Sequence, residues 1–268
     1  MGKISIEGSP AYQQSIRDVL ATIRKNPVGE IIAHSIENID GRDLTIVPWD
    51  AGKAAVYGDC NAAAHPDNFR DAAPKGISGT LTGDSAWYAG HDDNPRTRDD
   101  ERYDRMPYSV KGTGEGSDVH LYFTPDTRGR SGCGGGFYGS LPDEVLLHEM
   151  VHALRQMQGR SNPVPTEDAL RNYDNEEEFL AIVVANVYMS ANNKTQLRAG
   201  HNGFKPLDSA LSTSAGFLTE PGNLRLMNIY KLVWQPTFWH LHTVPASFNP
   251  FRELTLRLNY LTGYWPFQ

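Results

Sequence analysis

No apolar run in the sequence reaches the length that a membrane-spanning helix needs. The longest candidate, residues 179–189, is too short and carries Asn186, so no stable membrane insertion is expected. Positive charge is not in excess either. The formal net charge is −7, whereas phosphate-binding surfaces are basic, so nucleic acid is not expected as a partner. Cysteine is scarce. Cys60 and Cys133 are the two present, too few for a disulfide scaffold. Both lie among glycine and polar residues, which leaves a bond between them and a pair of free thiols as open alternatives. The glycines at 132 and 134–136 lack the Lys-Ser/Thr ending of a phosphate-binding loop. No internal repeat is present. Met1-Gly2-Lys3 runs directly into Ile4-Ser5-Ile6, with no signal-peptide pattern. A chain that leaves its cell is therefore expected to do so without a cleaved leader, or as part of a larger polypeptide.

What is present is an ordinary soluble composition: 268 residues, 39% apolar and 21% charged. That length buries a core without help from a metal or disulfide. Residues 3–6 read as a strand. A helix follows from Ser9-Pro10 to about residue 24, with Ile16, Val19, Leu20 and Ile23 at helical spacing. Asn26-Pro27-Val28-Gly29 reads as a break, residues 30–36 as a second helix and 43–49 as a second strand. Residues 50–118 are rich in Gly, Asp, Asn, Pro and Ser and read as long loops, with one short hairpin at 79–87. Residues 118–123 alternate as a strand. Ser140-Leu141-Pro142-Asp143 is a helix start with Ser140 as cap, and Gly159 ends that helix. Asn175 caps another helix that opens with three acids, where the helix dipole favours them. Residues 224–234 and 250–260 read as further helices. The expectation is one α+β domain over residues 1–268.

The chemistry lies in His148-Glu149-Met150-Val151-His152. Histidines four apart stack on one helix face, so both imidazoles can reach one ion. Glu149 points away from that axis, yet stays near enough to act as a general base on water. With nine histidines in the chain, chance supplies such a motif about 0.02 times. Its apolar setting, Val145-Leu146-Leu147 before and Ala153-Leu154 after, argues for a buried helix. Buried histidines beside a buried glutamate are costly unless a metal or polar partners satisfy them. Zinc is the expected ion, and it needs a third protein ligand and an open position. The metzincin pattern is excluded, because Arg155 and Gln158 stand where its glycine and third histidine belong. A glutamate from the next helix is the other common solution. Glu176, Glu177 and Glu178 are all candidates, and helical register alone does not choose among them.

Asn175-Glu176-Glu177-Glu178-Phe179-Leu180-Ala181 resembles the second-helix segment of the anthrax lethal factor protease, in which the glutamate just before the aromatic binds zinc. That resemblance implies Glu178 as third ligand, with Glu177 next in line. Taken with Ile4-Ser5-Ile6-Glu7-Gly8-Ser9, the motif through Arg155 with its Gly159, and Asn186-Val187-Tyr188, the chain is similar to effector-type bacterial zinc peptidases. These include type III secreted effectors that cleave host MAP kinases and toxin domains of type VI and Rhs systems. The resemblance implies a zincin-like fold in which an edge strand of a small mixed sheet borders the active-site helix. The strand at 118–123 is expected in that role, pairing with extended substrate. It also implies a zinc endopeptidase delivered by a bacterial secretion system into a target cell (periplasm or host cytosol), as the C-terminal toxin domain of a larger secreted protein or alone. A protein or peptide substrate is expected, with an immunity protein as a further partner. Rival readings are a zinc amidase acting on cell-wall peptides and a non-catalytic module that keeps a zinc site.

An oxyanion stabiliser is expected beside the ion. Tyr173, five residues before Glu178, is the first candidate, and His201 in Ala199-Gly200-His201-Asn202-Gly203 the second. His240 and His242, two apart, would share a face on a strand, but packing within an aromatic cluster with Trp234, Phe238 and Trp239 is the expected role.

Overall fold

The computed structural model describes residues 2–49, 62–75, 78–81, 108–125, 138–162, 173, 175–201 and 205–262. Cys60, Cys133, the glycines at 132–136 and the charged stretch at 91–105 lie outside the described residues.

The elements run β1 (Lys3–Ile6), α1 (Pro10–Arg24), α2 (Pro27–Glu37), β2 (Asp43–Val47), β3 (Ala63–Pro66), α3 (Phe69–Ala72), β4 (Ser78–Leu81), β5 (Tyr108–Lys111) and β6 (Val119–Tyr122). Helices follow: α4 (Pro142–Met157), α5 (Glu176–Ala191), α6 (Ser214–Phe217), α7 (Pro221–Val233), α8 (Thr237–His242) and α9 (Pro250–Thr262). The chain is α+β. A four-stranded sheet has the order β1-β2-β6-β3. Its first three strands are parallel, and β3 joins β6 antiparallel.

Alternation along the strands divides the sheet into two faces. Leu44, Ile46, Val119, Leu121 and Ala64 are buried on one. Ser5, Thr45, His120 and His65 form a row on the other, in mutual register across all four strands. Helix α4 packs against β3 and β6, and α5 packs against both α4 and α2. The helix carrying the motif is therefore enclosed between the sheet and α5. Its buried positions run almost without break from Glu144 to Arg155, and those of α5 from Phe179 to Ser190. A helix apolar on all sides belongs in such a place.

Several expectations change. Helix α2 begins at Pro27 rather than residue 30, because Asn26 caps it by accepting the Val28 N–H at 2.9 Å and proline is preorganised for the first helical position. The expected break is the cap. Helix α4 starts after Leu141, whose N–H reaches the Glu144 carboxylate at 3.1 Å, one residue later than a Ser140 cap. Among the described residues the strand at 78–81 pairs with Tyr108–Lys111, and the second half of the hairpin expected at 79–87 lies outside them. Strand β6 is not an edge strand. It has β2 on one side and β3 on the other. Among the described residues the edge on that side is β3, whose residues Ala63-Ala64-His65-Pro66 are too short and mixed to stand out within a loop-like stretch. His240 and His242 lie on helix α8 rather than a strand. His242 meets Trp239 edge-on at 5.5 Å, and Trp239 packs on Phe238 at 5.9 Å.

Asn26 joins distant parts of the helical layer. Beyond its cap, its amide donates to the Tyr188 carbonyl at 3.0 Å and to Asn192 at 2.8 Å, at the far end of α5. Asn26→Ala is expected to cost about 1–3 kcal/mol, from a lost cap and two lost side-chain hydrogen bonds to the end of α5. Urea unfolding of the two proteins checks this; a loss below about 0.5 kcal/mol would show that the join contributes nothing beyond solvation.

Candidate metal centre

On α4 the positions 148, 152 and 155 follow at spacings of four and three, so they form one stripe along the helix. That stripe faces the first turn of α5. His148 and His152 turn their Nε2 atoms toward each other at 3.1 Å, with ring planes at 79°. Glu178 closes the group: its carboxylate oxygens lie 3.1 Å from His148 Nε2 and 3.4 Å from His152 Nε2. The three are brought together into a cluster compatible with a metal site.

The three acids that sequence left open have three different surroundings. Asn175 caps α5 by accepting the Glu178 N–H at 2.9 Å, which fixes the first turn. Glu178 then meets the imidazoles. Glu177, one residue back and so rotated by about 100°, meets Arg155 instead. The guanidinium grips it through Nε at 2.9 and 3.0 Å and Nη2 at 2.7 Å, and the Asn162 N–H adds a fourth bond at 2.6 Å. Glu176 takes the Asn162 amide at 3.1 Å, and its carbonyl accepts the Tyr230 hydroxyl at 2.6 Å.

Charge in this interior is distributed unevenly. Burial lowers the pKa of His148 to about 3, with the Glu178 carboxylate opposing. At His152 burial also lowers the pKa, but Glu178, Glu149 and Glu177 together outweigh it and raise the value to about 9. For Glu178 burial favours the neutral acid. The charges of His152 and His201 and the hydrogen bonds from His148 and His152 nevertheless hold it well below its ordinary value. The carboxylate is ionised, as a metal ligand must be.

Glu149 turns from this stripe toward the sheet. One of its carboxylate oxygens accepts the Ala64 N–H at 3.1 Å, while Gln156 donates to the Ala64 carbonyl at 3.0 Å. The outer edge of β3 is thus fastened to α4 at one residue. His201 stands beside the cluster: its Nε2 is 3.7 Å from Glu178, and its ring lies parallel to His148 with centroids 6.3 Å apart. Tyr173 belongs to the hydrophobic core and packs edge-on against Phe179 at 5.0 Å.

Two features escaped the sequence reading. One is the backbone bond from Ala64 to Glu149, which no side-chain pattern signals. The other is the Arg155–Glu177 pair. Its signal was available, since an arginine on the apolar stripe of a buried helix requires an anionic partner.

Comparison with known families gives one result. A profile of the Peptidase M91 family, described as effector protein, matches residues 1–186. No curated protein and no solved structure matches the chain.

The Arg155–Glu177 pair is almost fully buried on both sides. Removing one partner leaves the other charged and unpaired in the interior. Glu177→Ala is therefore expected to cost about 3–5 kcal/mol, and Arg155→Met combined with Glu177→Leu much less. Denaturant unfolding of the single and double variants checks this. Equal losses in both would assign the cost to packing rather than to stranded charge.

Proposed function

The chain belongs to the Peptidase M91 family of effector proteins, and we propose that it is a zinc-dependent endopeptidase acting on protein or peptide in a target cell. In this reading residues 1–268 form a single zincin-like metallopeptidase domain. His148, His152 and Glu178 hold zinc, and Glu149 is the general base. A bacterial secretion system carries the protein to its target, and an immunity protein is a partner where the target cell is bacterial.

The convergence of two imidazole nitrogens and an ionised carboxylate, at 3.1–3.4 Å from one another, carries the proposal. A tetrahedron of bonds of about 2.0–2.1 Å has edges of about 3.3 Å, so the donor spacing fits zinc. The chemistry of the set agrees. Glu178 Oε2 is buried without a hydrogen-bond partner, and an ion held among the two facing Nε2 atoms and this carboxylate would satisfy it. Two histidines and a glutamate leave one position open, the arrangement of a catalytic rather than a structural zinc site.

Zinc, when bound, lowers the pKa of water and polarises the scissile carbonyl. Glu149 takes the proton from the attacking water and delivers it to the leaving nitrogen. Its bond to the Ala64 N–H holds the carboxylate at the sheet edge.

Elemental analysis of purified protein is expected to give one zinc per chain. Glu178→Ala is expected to lose it, while Glu177→Ala retains it in whatever fraction stays folded. A Glu178→Ala protein that keeps full zinc would remove that ligand from the scheme. Glu149→Gln is expected to hold zinc and to lose about 10²–10⁴-fold in activity. The assay is mass spectrometry of new N-termini after incubation with target-cell peptides. Zinc-loaded wild-type protein that creates no new N-termini would favour a binding module.

A further inference from the structure

His201 lies beyond the segment that the family profile matches, which ends at residue 186. It is nonetheless set against the metal cluster by a specific piece of structure. Asn186, fully buried on α5, pairs with the backbone of Arg198: its amide donates to the Arg198 carbonyl and its oxygen accepts the Arg198 N–H, both at 2.8 Å. The Arg198 side chain then turns back into its own loop. Its Nε donates to the Gly200 carbonyl at 2.7 Å and its Nη2 to the His201 carbonyl at 2.5 Å. Gly139, at φ +75°, lets the chain pass close to the Arg198 side chain, since a Cβ there would stand 3.0 Å from Arg198 Cδ. Asn186 thus anchors Arg198, and Arg198 in turn holds the carbonyls of Gly200 and His201. A side chain needed only at the surface requires no such support.

The position of the imidazole indicates its use. Ligand atoms of His148, His152 and Glu178 lie within 4.8 Å of one another, and that group does not include His201. At 3.7 Å from a Glu178 oxygen, His201 Nε2 is too far to bond it. Its side chain is 38% exposed, against 5% for His148, 13% for His152 and 15% for Glu178. It stands on the open side of the cluster, where a substrate carbonyl must arrive. Tyr173, the other residue considered for this task, is packed in the core.

We propose that His201 is a catalytic residue that donates a hydrogen bond from Nε2 to the substrate's carbonyl oxygen as negative charge develops there. The inference rests on the zinc peptidase reading above. In the step, the water oxygen bonds to the carbonyl carbon, the carbonyl π pair moves onto oxygen, and Glu149 receives the water proton. The oxygen's pair then re-forms the double bond as the carbon–nitrogen bond breaks. The proton on Glu149 passes to the leaving nitrogen, giving a carboxylic acid and an amine. His201 binds the oxygen more tightly in the tetrahedral state than in the planar one, and a donor whose backbone Arg198 holds acts with little reorganisation.

The test uses the full chain, as wild type, His201→Ala and His201→Gln, loaded with zinc or with Co²⁺. Both variants are expected to keep one metal per chain and an unchanged Co²⁺ visible spectrum. On a peptide that the wild type cleaves, His201→Ala is expected to lower kcat by about 10²–10³-fold with KM little changed. His201→Gln, which restores a donor, should recover part of that loss. A phosphonamidate of the same peptide, tetrahedral at phosphorus, should bind His201→Ala less tightly by a similar factor. Loss of metal or an altered spectrum in His201→Ala would make the residue a ligand and overturn the inference. So would an unchanged kcat, or a loss seen in Tyr173→Phe and absent from both His201 variants. Failure of the underlying reading looks different: the wild type itself would hold no zinc or cleave nothing.

Discussion

The interface between α4 and α5 has to bring charge into an interior that is otherwise apolar. Both helices are buried on nearly every side, yet they bring two histidines, an arginine and two glutamates to the same seam. Isolated charges there would cost several kcal/mol each. The structure resolves this by pairing along the seam: Glu177 with Arg155, and Glu178 with His148 and His152. In the first pair, four hydrogen bonds converge on one carboxylate. In the second, two imidazole nitrogens and a carboxylate oxygen face a common point, and Glu178 Oε2 has no hydrogen-bond partner. One pair fixes the register of the two helices, and in that register the other has its ligand geometry.

The cap at Asn175 converts this from packing into chemistry. Successive residues of a helix diverge by about 100°, so which glutamate faces the histidines depends on where α5 begins. Asn175 sets that start by binding the Glu178 N–H, and Arg155 holds the neighbouring residue to one side. A shift of one residue would set Glu177 against the imidazoles and Glu176 against Arg155, and would break the Asn175 cap on the Glu178 N–H. The acidic run is thus not interchangeable: three adjacent glutamates occupy three environments, with Glu176, half-buried, taking the Asn162 amide.

How much of this could be read beforehand follows from the range of the interactions. The histidine pair and the cap at Asn175 are local, set by spacing along one helix, and were legible as such. Periodicity gave most helices within a few residues. Choosing Glu178 needed resemblance to another protease, because only a long-range partner, Arg155, distinguishes Glu177 from it. The sheet was read less well for the same reason. Residues 118–123 alternate like a strand, but alternation does not say how many neighbours a strand has, and β3 was hidden in a polar, glycine-rich stretch. Once β3 is added, β6 becomes internal and the edge near the motif passes to Ala64. The approach of His201 depends on Arg198 and Asn186, residues that carry no motif and acquire meaning only from their mutual hydrogen bonds.

The family profile ends at residue 186, yet the chain beyond it is physically part of the same seam. Tyr230, on α7, donates its hydroxyl to the Glu176 carbonyl at the first turn of α5. The Arg155 guanidinium lies over the rings of Tyr230 and Trp234, at 5.3 and 5.8 Å from their centroids. Trp234 in turn donates to Gln158 at 3.0 Å, at the end of α4, and Arg160 reaches the carbonyls of Val233 and Gln235 at 3.0 and 3.1 Å. Phe179, next to Glu178, is stacked between Phe217 and Tyr230. Each contact falls on the end of α4 or the start of α5, where a small rotation would move Glu178 away from the histidines. Cation–π and aromatic contacts of this kind contribute about 0.5–2 kcal/mol apiece, too little individually to drive folding. Acting together on one helix start, they constrain a carboxylate that the two central helices alone would hold at a single cap and a single salt bridge.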